Sequence, residues 1–204
     1  MNSVPAPSSD GRRARLFFAL WPDEATAGRL YDWAQALLPT CGGRAMRRDS
    51  LHLTLAFLGR TDAARTSELI AALQAWRIEP GVFDLARVGR FGRLHIVWAG
   101  PEERGEDAER LAALHRSLWS WLAPLGWQPD LPFRPHVTLL RNAGPAHAAR
   151  PPEPVRWHYD RVVLAASTND PSGPRYRILA ASPATRAAPA PRRTAAPKCA
   201  PPRS

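Results

Sequence analysis

Four residues have the types and spacing that chemistry needs: His52 and Thr54 in "HLTL" (52–55), and His136 and Thr138 in "HVTL" (136–139). In an extended strand, side chains two apart share a face, so His52 and Thr54 project together, ~6.6 Å apart along the strand. Leu51, Leu53 and Leu55 then point to the other side, toward a core. The second copy behaves alike, with Val137 and Leu139 turned away from His136 and Thr138. Histidine titrates near neutral pH, so one imidazole can be neutral while the other is protonated, which supplies a general base and a general acid together. Threonine hydroxyls are held stiffly by β-branching and can donate hydrogen bonds to phosphate oxygens. Opening a cyclic phosphodiester requires these parts: one group to activate water, one to protonate the leaving oxygen, and donors to hold the phosphate. It requires no metal.

A single histidine on a strand is ordinarily a half-exposed polar residue. The repetition carries the argument here, and the flanks extend it: "LHLTLAFLGR" against "PHVTLLRNAG". Two similar lobes whose tetrads face each other across a cleft would make the four polar side chains converge. Zinc chemistry would need three or four ligands, and no carboxylate or cysteine stands at a suitable spacing. A serine or cysteine hydrolase would need a nucleophile motif such as G-x-S-x-G, which is absent. The other four histidines, His95 in a strand, His115 on a helix, His147 in a Pro/Ala loop and His158 in a late strand, read as surface or satisfied polar residues.

The elements that must position the tetrads follow from pattern. Strands are expected at 15–20 ("RLFFAL"), 51–58, 82–88, 94–100, 136–140, 155–167 and 175–182. Helices are expected at 23–38, at 62–76 with Thr61 or Asp62 as cap, and at 102–123, where Leu111, Leu114, Leu118, Trp119 and Leu122 form an apolar stripe ended by Pro124 and Gly126. The segments 82–88 and 94–100 read as a hairpin joined by "GRFGR". The order β-α-β-α-β-β-α-β-β-β is an α+β pattern with antiparallel pairing. No glycine-rich phosphate loop follows the first strand, which disfavours a dinucleotide or P-loop fold.

Composition sets the bounds. With 204 residues, 45% of them hydrophobic, the chain can bury one core or two small lobes sharing one. No apolar run approaches the ~18 residues of a membrane span, and "MNSVPAPSSDGRRAR" lacks the apolar stretch of a secretory signal. Cys41 and Cys199 make neither a disulfide framework nor a zinc pattern, so a cytoplasmic protein with reduced thiols is expected. The net charge of +10 is partly terminal, because Arg186, Arg192, Arg193, Lys198 and Arg203 all lie in the acid-free segment 184–204. The organisation expected is a flexible lead at 1–13, one domain at 14–183, and a disordered basic Ala/Pro-rich tail at 184–204. The moderately basic remainder suits an anionic substrate.

At "RLFFAL", "LHLTLAFLG", "VGRFGRLHIVWAG" and "FRPHVTLLR" the chain resembles the two-histidine (2H) phosphoesterase superfamily, and within it the RNA 2′,3′-cyclic phosphodiesterases, also called 2′-5′ RNA ligases. The resemblance covers roughly residues 14–182. It implies a bilobal α+β fold, with two antiparallel sheets flanking a central cleft and helices outside. It implies hydrolysis of RNA 2′,3′-cyclic phosphate ends to 2′-phosphates, with weak 2′-5′ ligation besides. The chain itself is expected to work as a monomer, with no metal, cofactor or membrane. Carried onto this chain, His52 is the proton donor to the departing O3′ and His136 the proton acceptor from water. Thr54 and Thr138 hold phosphate oxygens, Arg141 grips the phosphate and stacks on the base, and Phe91 covers the base's other face. Strict alternation from His136 puts Arg141 on the wrong side, so the strand must twist or end near Leu140. Phe57 stands where the first copy would have the arginine, which makes the half-sites unequal. Two other readings stay open: a phosphodiesterase for small cyclic nucleotides or 2′-5′ oligonucleotides, and a non-catalytic RNA-end binding module.

Overall fold

The computed structural model describes residues 14–129, 132–145, 153–170 and 173–185. The expected lead at 1–13, His147, Cys199 and the tail beyond residue 185 lie outside the described residues. The chain runs β1 (Ala14–Leu20), α1 (Glu24–Cys41), β2 (Arg44–Ala45), β3 (Leu53–Thr61), α2 (Ala63–Leu73), β4 (Gly81–Leu85), β5 (Arg87–Phe91) and β6 (Ile96–Gly100). It continues through α3 (Glu106–Leu122), β7 (Val137–Arg141), β8 (Val155–Tyr159), β9 (Val163–Asp170) and β10 (Gly173–Ala181).

Local chemistry fixes the helices. The Asp23 carboxylate accepts the Thr26 N–H at 2.7 Å and caps α1. Asp62, the second of the two candidates, caps α2 through the Arg65 N–H at 2.9 Å. On α3 the five stripe residues are all buried, and Gly126 closes the end with φ +83°. Among the described residues, no helix is long and apolar enough to cross a membrane.

All strand pairing is antiparallel, in the order β10-β9-β1-β3-β7-β6-β5, with β2 also on β7 and a separate pair β4–β8. The two half-sheets, β10-β9-β1-β3 and β7-β6-β5, meet through one residue pair, Leu53 with Val137. These are the second residues of the two tetrads, so the seam of the fold is also the meeting point of the motifs.

Two expected strands are each divided. The segment 155–167 forms β8 on the small sheet and β9 on the large one, with a corner at 160–162. The burial pattern marks the change: Val155, Trp157 and Tyr159 alternate inward, then Val162 to Ala166 are all buried. No Gly or Pro announces the corner. It is held by the Asp160–Arg161 ion pair at 2.8 Å and by hydrogen bonds between Val162 and Ser182. The segment 82–88 divides at Ala86, so β4 joins β8 while β5 pairs with β6. Phe91 is therefore the last residue of a strand rather than part of the hairpin tip, which is a 3-10 turn at Gly92–Leu94 followed by left-handed His95.

The core is continuous across the seam, from Phe18 and Leu20 through Leu53 and Val137 to Trp157. Trp157 is fully buried, its ring 5.3 Å from Phe83. Trp157→Ala should lower the unfolding free energy by ~3–5 kcal/mol, the usual cost of emptying a large aromatic site, read from the chemical-denaturation midpoint.

Candidate active site

The sheet pairing builds the site. Continuing the Leu53–Val137 register by one residue in each direction sets His52 beside Thr138 and Thr54 beside His136. The motifs are thus related by a local two-fold relationship, with both histidines and both threonines on one face. Burial agrees: His52, Thr54, His136 and Thr138 are half-buried, while Leu51, Leu53, Val137 and Leu139 are fully enclosed. All four polar residues line one cavity of about 580 Å³, together with Arg141, Phe57 and Phe91.

Each histidine is oriented by the same local contact. His52 Nδ1 lies 2.8 Å from the Ser50 carbonyl, and His136 Nδ1 lies 2.7 Å from the Arg134 carbonyl. A carbonyl only accepts, so each Nδ1 carries its proton and donates it. In the neutral ring Nε2 is then the acceptor, the atom needed for taking or relaying a proton.

The two imidazoles differ in their surroundings. His52 is packed by Trp21, stacked at 5.2 Å and 10°, by Phe17 at 5.0 Å, and by Tyr176 edge-on at 4.7 Å. His136 meets Phe91 edge-on at 4.9 Å. Burial pushes the His52 pKa down to about 4, with the Ser50 hydrogen bond opposing and the charges of Arg141 and His136 adding to the fall. Burial also lowers the His136 pKa, against the Arg134 carbonyl and assisted by Arg141. In the ligand-free site at neutral pH both rings are neutral, and His52 is the one displaced furthest.

Arg141 reaches the cavity through a β-bulge. Val97 pairs with Leu140 and the next residue, Trp98, pairs with Thr138, leaving Leu139 as an extra residue in β7. The extra residue reverses the alternation, so Leu139 and Leu140 are both buried and Arg141 returns to the side of Thr138. The first motif does the same: Phe18 pairs with Ala56, Ala19 pairs with Thr54, and Leu55 is extra. Both tetrads therefore bulge at their final leucine. The bulge turns Phe57 into the cavity as its counterpart turns Arg141, and leaves Phe57 61% exposed. The Arg141 Nε is buried with no hydrogen-bond partner, an orphan donor of the kind an anion satisfies.

Sequence reasoning missed Phe57 as a cavity residue, the Trp21–Phe17–Tyr176 packing of His52, and Arg15 at the cavity wall. Equivalence to Arg141 was the available signal for Phe57. Of the remaining histidines, His95 is exposed in its left-handed turn rather than in a strand, and His158 is exposed on β8. His115 is a satisfied polar residue: Nε2 accepts the Trp119 indole N–H at 2.9 Å, and the ring stacks on Phe133 at 4.2 Å. Among the described residues, no three His, Cys, Asp or Glu side chains are grouped as metal ligands would be.

The family described as the 2′-5′ RNA ligase superfamily matches residues 22–171, which include both tetrads. The chain belongs to the 2′-5′ RNA ligase superfamily. Among its similar proteins is the RNA 2′,3′-cyclic phosphodiesterase of Escherichia coli K12, 36% identical over 148 residues, covering 71% of this chain and 81% of that protein. The solved structure of E. coli LigT in apo form superposes with a TM-score of 0.70 at 30% identity, covering 83% of this chain and 96% of that one. LigT complexed with 3′-AMP gives 0.69 at 30% identity, covering 83% and 97%. The bilobal α+β fold of the superfamily is the fold of this chain, its two antiparallel half-sheets joined at the motif seam.

Proposed function

We propose that the chain hydrolyses RNA 2′,3′-cyclic phosphate ends to 2′-phosphates, without a metal. The observation that carries this reading is the placement of two Nδ1-donating imidazoles and two threonines around one cavity, with an unpaired arginine donor. His136 Nε2 takes a proton from the attacking water. His52 gives a proton from Nε2 to O3′ as the P–O3′ bond breaks. Thr54, Thr138 and Arg141 hold the non-bridging oxygens, and Phe57 and Phe91 offer apolar faces for the base. Related proteins named RNA 2′,3′-cyclic phosphodiesterase, and a LigT structure complexed with 3′-AMP, support the substrate class. Stacking on such faces contributes ~1–3 kcal/mol per base.

Protonation state makes this reading quantitative. The acid must carry a proton that burial opposes, and the phosphodiester's negative charge supplies the compensation by raising both pKa values when it binds. The expected result is a bell-shaped kcat/KM profile with both limbs below pH 6.5, the lower one near 4. The kcat profile, which reports the bound state, should be displaced upward from it. Steady-state rates from pH 3.5 to 9 check this.

The functional test is incubation in EDTA of an oligonucleotide ending in a 2′,3′-cyclic phosphate, with a cyclic mononucleotide alongside. The expected outcome is full activity and a higher kcat/KM on the oligonucleotide. Activity lost on chelation and restored by zinc would overturn the mechanism, and a preference for the mononucleotide would favour the small-molecule reading.

A further inference from the structure

The proton on His136 Nδ1 is held by the Arg134 carbonyl, and the groups that hold that carbonyl lie outside the phosphate cavity. The first motif secures the equivalent carbonyl by hydrogen bonds. Ser50 is 3% exposed in a 3-10 turn at Arg48–Ser50, and its N–H donates to the Arg47 carbonyl at 2.9 Å. The Ser50 hydroxyl accepts from the Arg47 guanidinium at 3.1 Å and donates to Asp49 at 2.9 Å. The second motif has no such turn before it. Among the described residues, no backbone hydrogen bond ties down 132–135.

A stack of rings takes the place of those hydrogen bonds. His115 and Trp119, four residues apart, share a face of α3. Trp119 is buried in the core, and its indole N–H donates to His115 Nε2 at 2.9 Å. An indole only donates, so His115 Nε2 accepts and the His115 proton sits on Nδ1. Burial and the nearby Arg116 charge both lower the His115 pKa, which keeps the ring neutral and that hydrogen bond intact at neutral pH. Fixed in this way, the imidazole stacks on Phe133 at 4.2 Å and 15°. Arg134 follows Phe133 directly, and Pro135 confines Arg134 to extended backbone. The aim of the Arg134 carbonyl therefore follows from where Phe133 is pinned. A cavity of about 200 Å³, bounded by Phe133, His115, Thr54 and His136, adjoins the stack and leaves an unpinned Phe133 room to turn.

We propose that His115 is a positioning residue for His136: anchored by Trp119 and stacked on Phe133, it holds the Arg134 carbonyl on Nδ1 and so keeps Nε2 the free acceptor. The inference rests on the hydrolase reading above, in which His136 is the base. His115 itself touches no reacting atom. Without the stack the carbonyl leaves Nδ1, and the ring turns to the tautomer with its proton on Nε2, which cannot take a proton from water there. A misplacement of about 1 Å, even one caused far from the chemistry, costs up to ~10²-fold in rate.

The test measures kcat and KM on an oligonucleotide ending in a 2′,3′-cyclic phosphate, and records the histidine ring-nitrogen NMR spectrum of the ligand-free protein at neutral pH. The variants are His115→Ala, His115→Gln and Phe133→Leu, and the His136 resonances are assigned by their loss in His136→Ala. The wild-type His136 ring should carry its proton on Nδ1. His115→Ala should lower kcat ~10-fold with KM little changed, as lost positioning does and lost binding does not. In the same variant the His136 spectrum should move toward the Nε2–H form. His115→Gln, whose amide offers Trp119 an acceptor and Phe133 a flat face, should recover most of both. Phe133→Leu removes the stack from its other side and decides the matter should His115→Ala lose its fold. A folded His115→Ala or Phe133→Leu whose His136 proton stays on Nδ1, or whose kcat matches the wild type, overturns the inference and leaves the hydrolase reading standing. If the wild type does not hydrolyse, that reading falls, and the ring spectra alone decide whether His115 sets the His136 tautomer.

Discussion

His136→Ala should lower kcat on an RNA 2′,3′-cyclic phosphate by ~10²–10⁴-fold, the usual worth of a positioned acid or base. His52→Ala should do the same, and the double variant should lose little more than either single one, because the two groups act in one step. The imidazoles are half-buried on a face of the seam whose opposite side is the core, so removing them takes away chemistry more than packing. His136 has one close ring neighbour, Phe91. Its alanine variant should unfold at a denaturant concentration close to that of the wild type. His52 is enclosed by three aromatic rings, so its loss leaves a small cavity, and His52→Gln is the better probe of chemistry there. Single-turnover rates with denaturation midpoints separate the two effects.

Arg141→Ala should lower kcat/KM by ~10–100-fold, the value of charge-assisted hydrogen bonds to a phosphate. Arg141→Lys should recover only part of that loss, because an ammonium keeps the charge but not the planar two-pronged donor set. The buried, partnerless Nε is the reason to expect more than long-range charge. Loss of the guanidinium also removes a cation that depresses both imidazoles, so the bell of the Arg141→Ala variant should move to higher pH. A variant at wild-type kcat/KM, or one whose profile moves toward acid, would show that Arg141 does not face the phosphate.

The motif repeat made the two histidines, the two threonines and their shared face legible, because a period of two in a strand leaves little freedom. It also suggested that the copies face each other. The register did not follow from pattern, since one backbone pair, Leu53 with Val137, sets which side chain lies beside which. Arg141 was placed on the cavity by resemblance against its own alternation. The extra Leu139 resolves that conflict, and nothing in a run of leucines distinguishes a bulged residue from a regular one. The same silence hid Phe57 behind Leu55. The corner at 160–162 was missed because β8 and β9 are joined without a Gly or Pro, and the break in alternation was the one available sign. Phe91 was read into the hairpin tip because two glycines flank it, yet strand pairing with Ile96 carries it to the end of β5. The tight packing of His52 depends on Trp21 and Tyr176, which come from opposite ends of the described chain, a long-range contact that strand periodicity does not reveal.

The most direct test of two imidazoles acting on one phosphate is the pH dependence of residual turnover in His52→Ala and His136→Ala. The wild-type bell should become a single limb in each. With His52 removed, rate should rise with pH as His136 loses its proton; with His136 removed, rate should fall with pH as His52 loses its own. A bell that survives intact in either variant would contradict the shared site, and limbs of the opposite sense would exchange the roles of donor and acceptor.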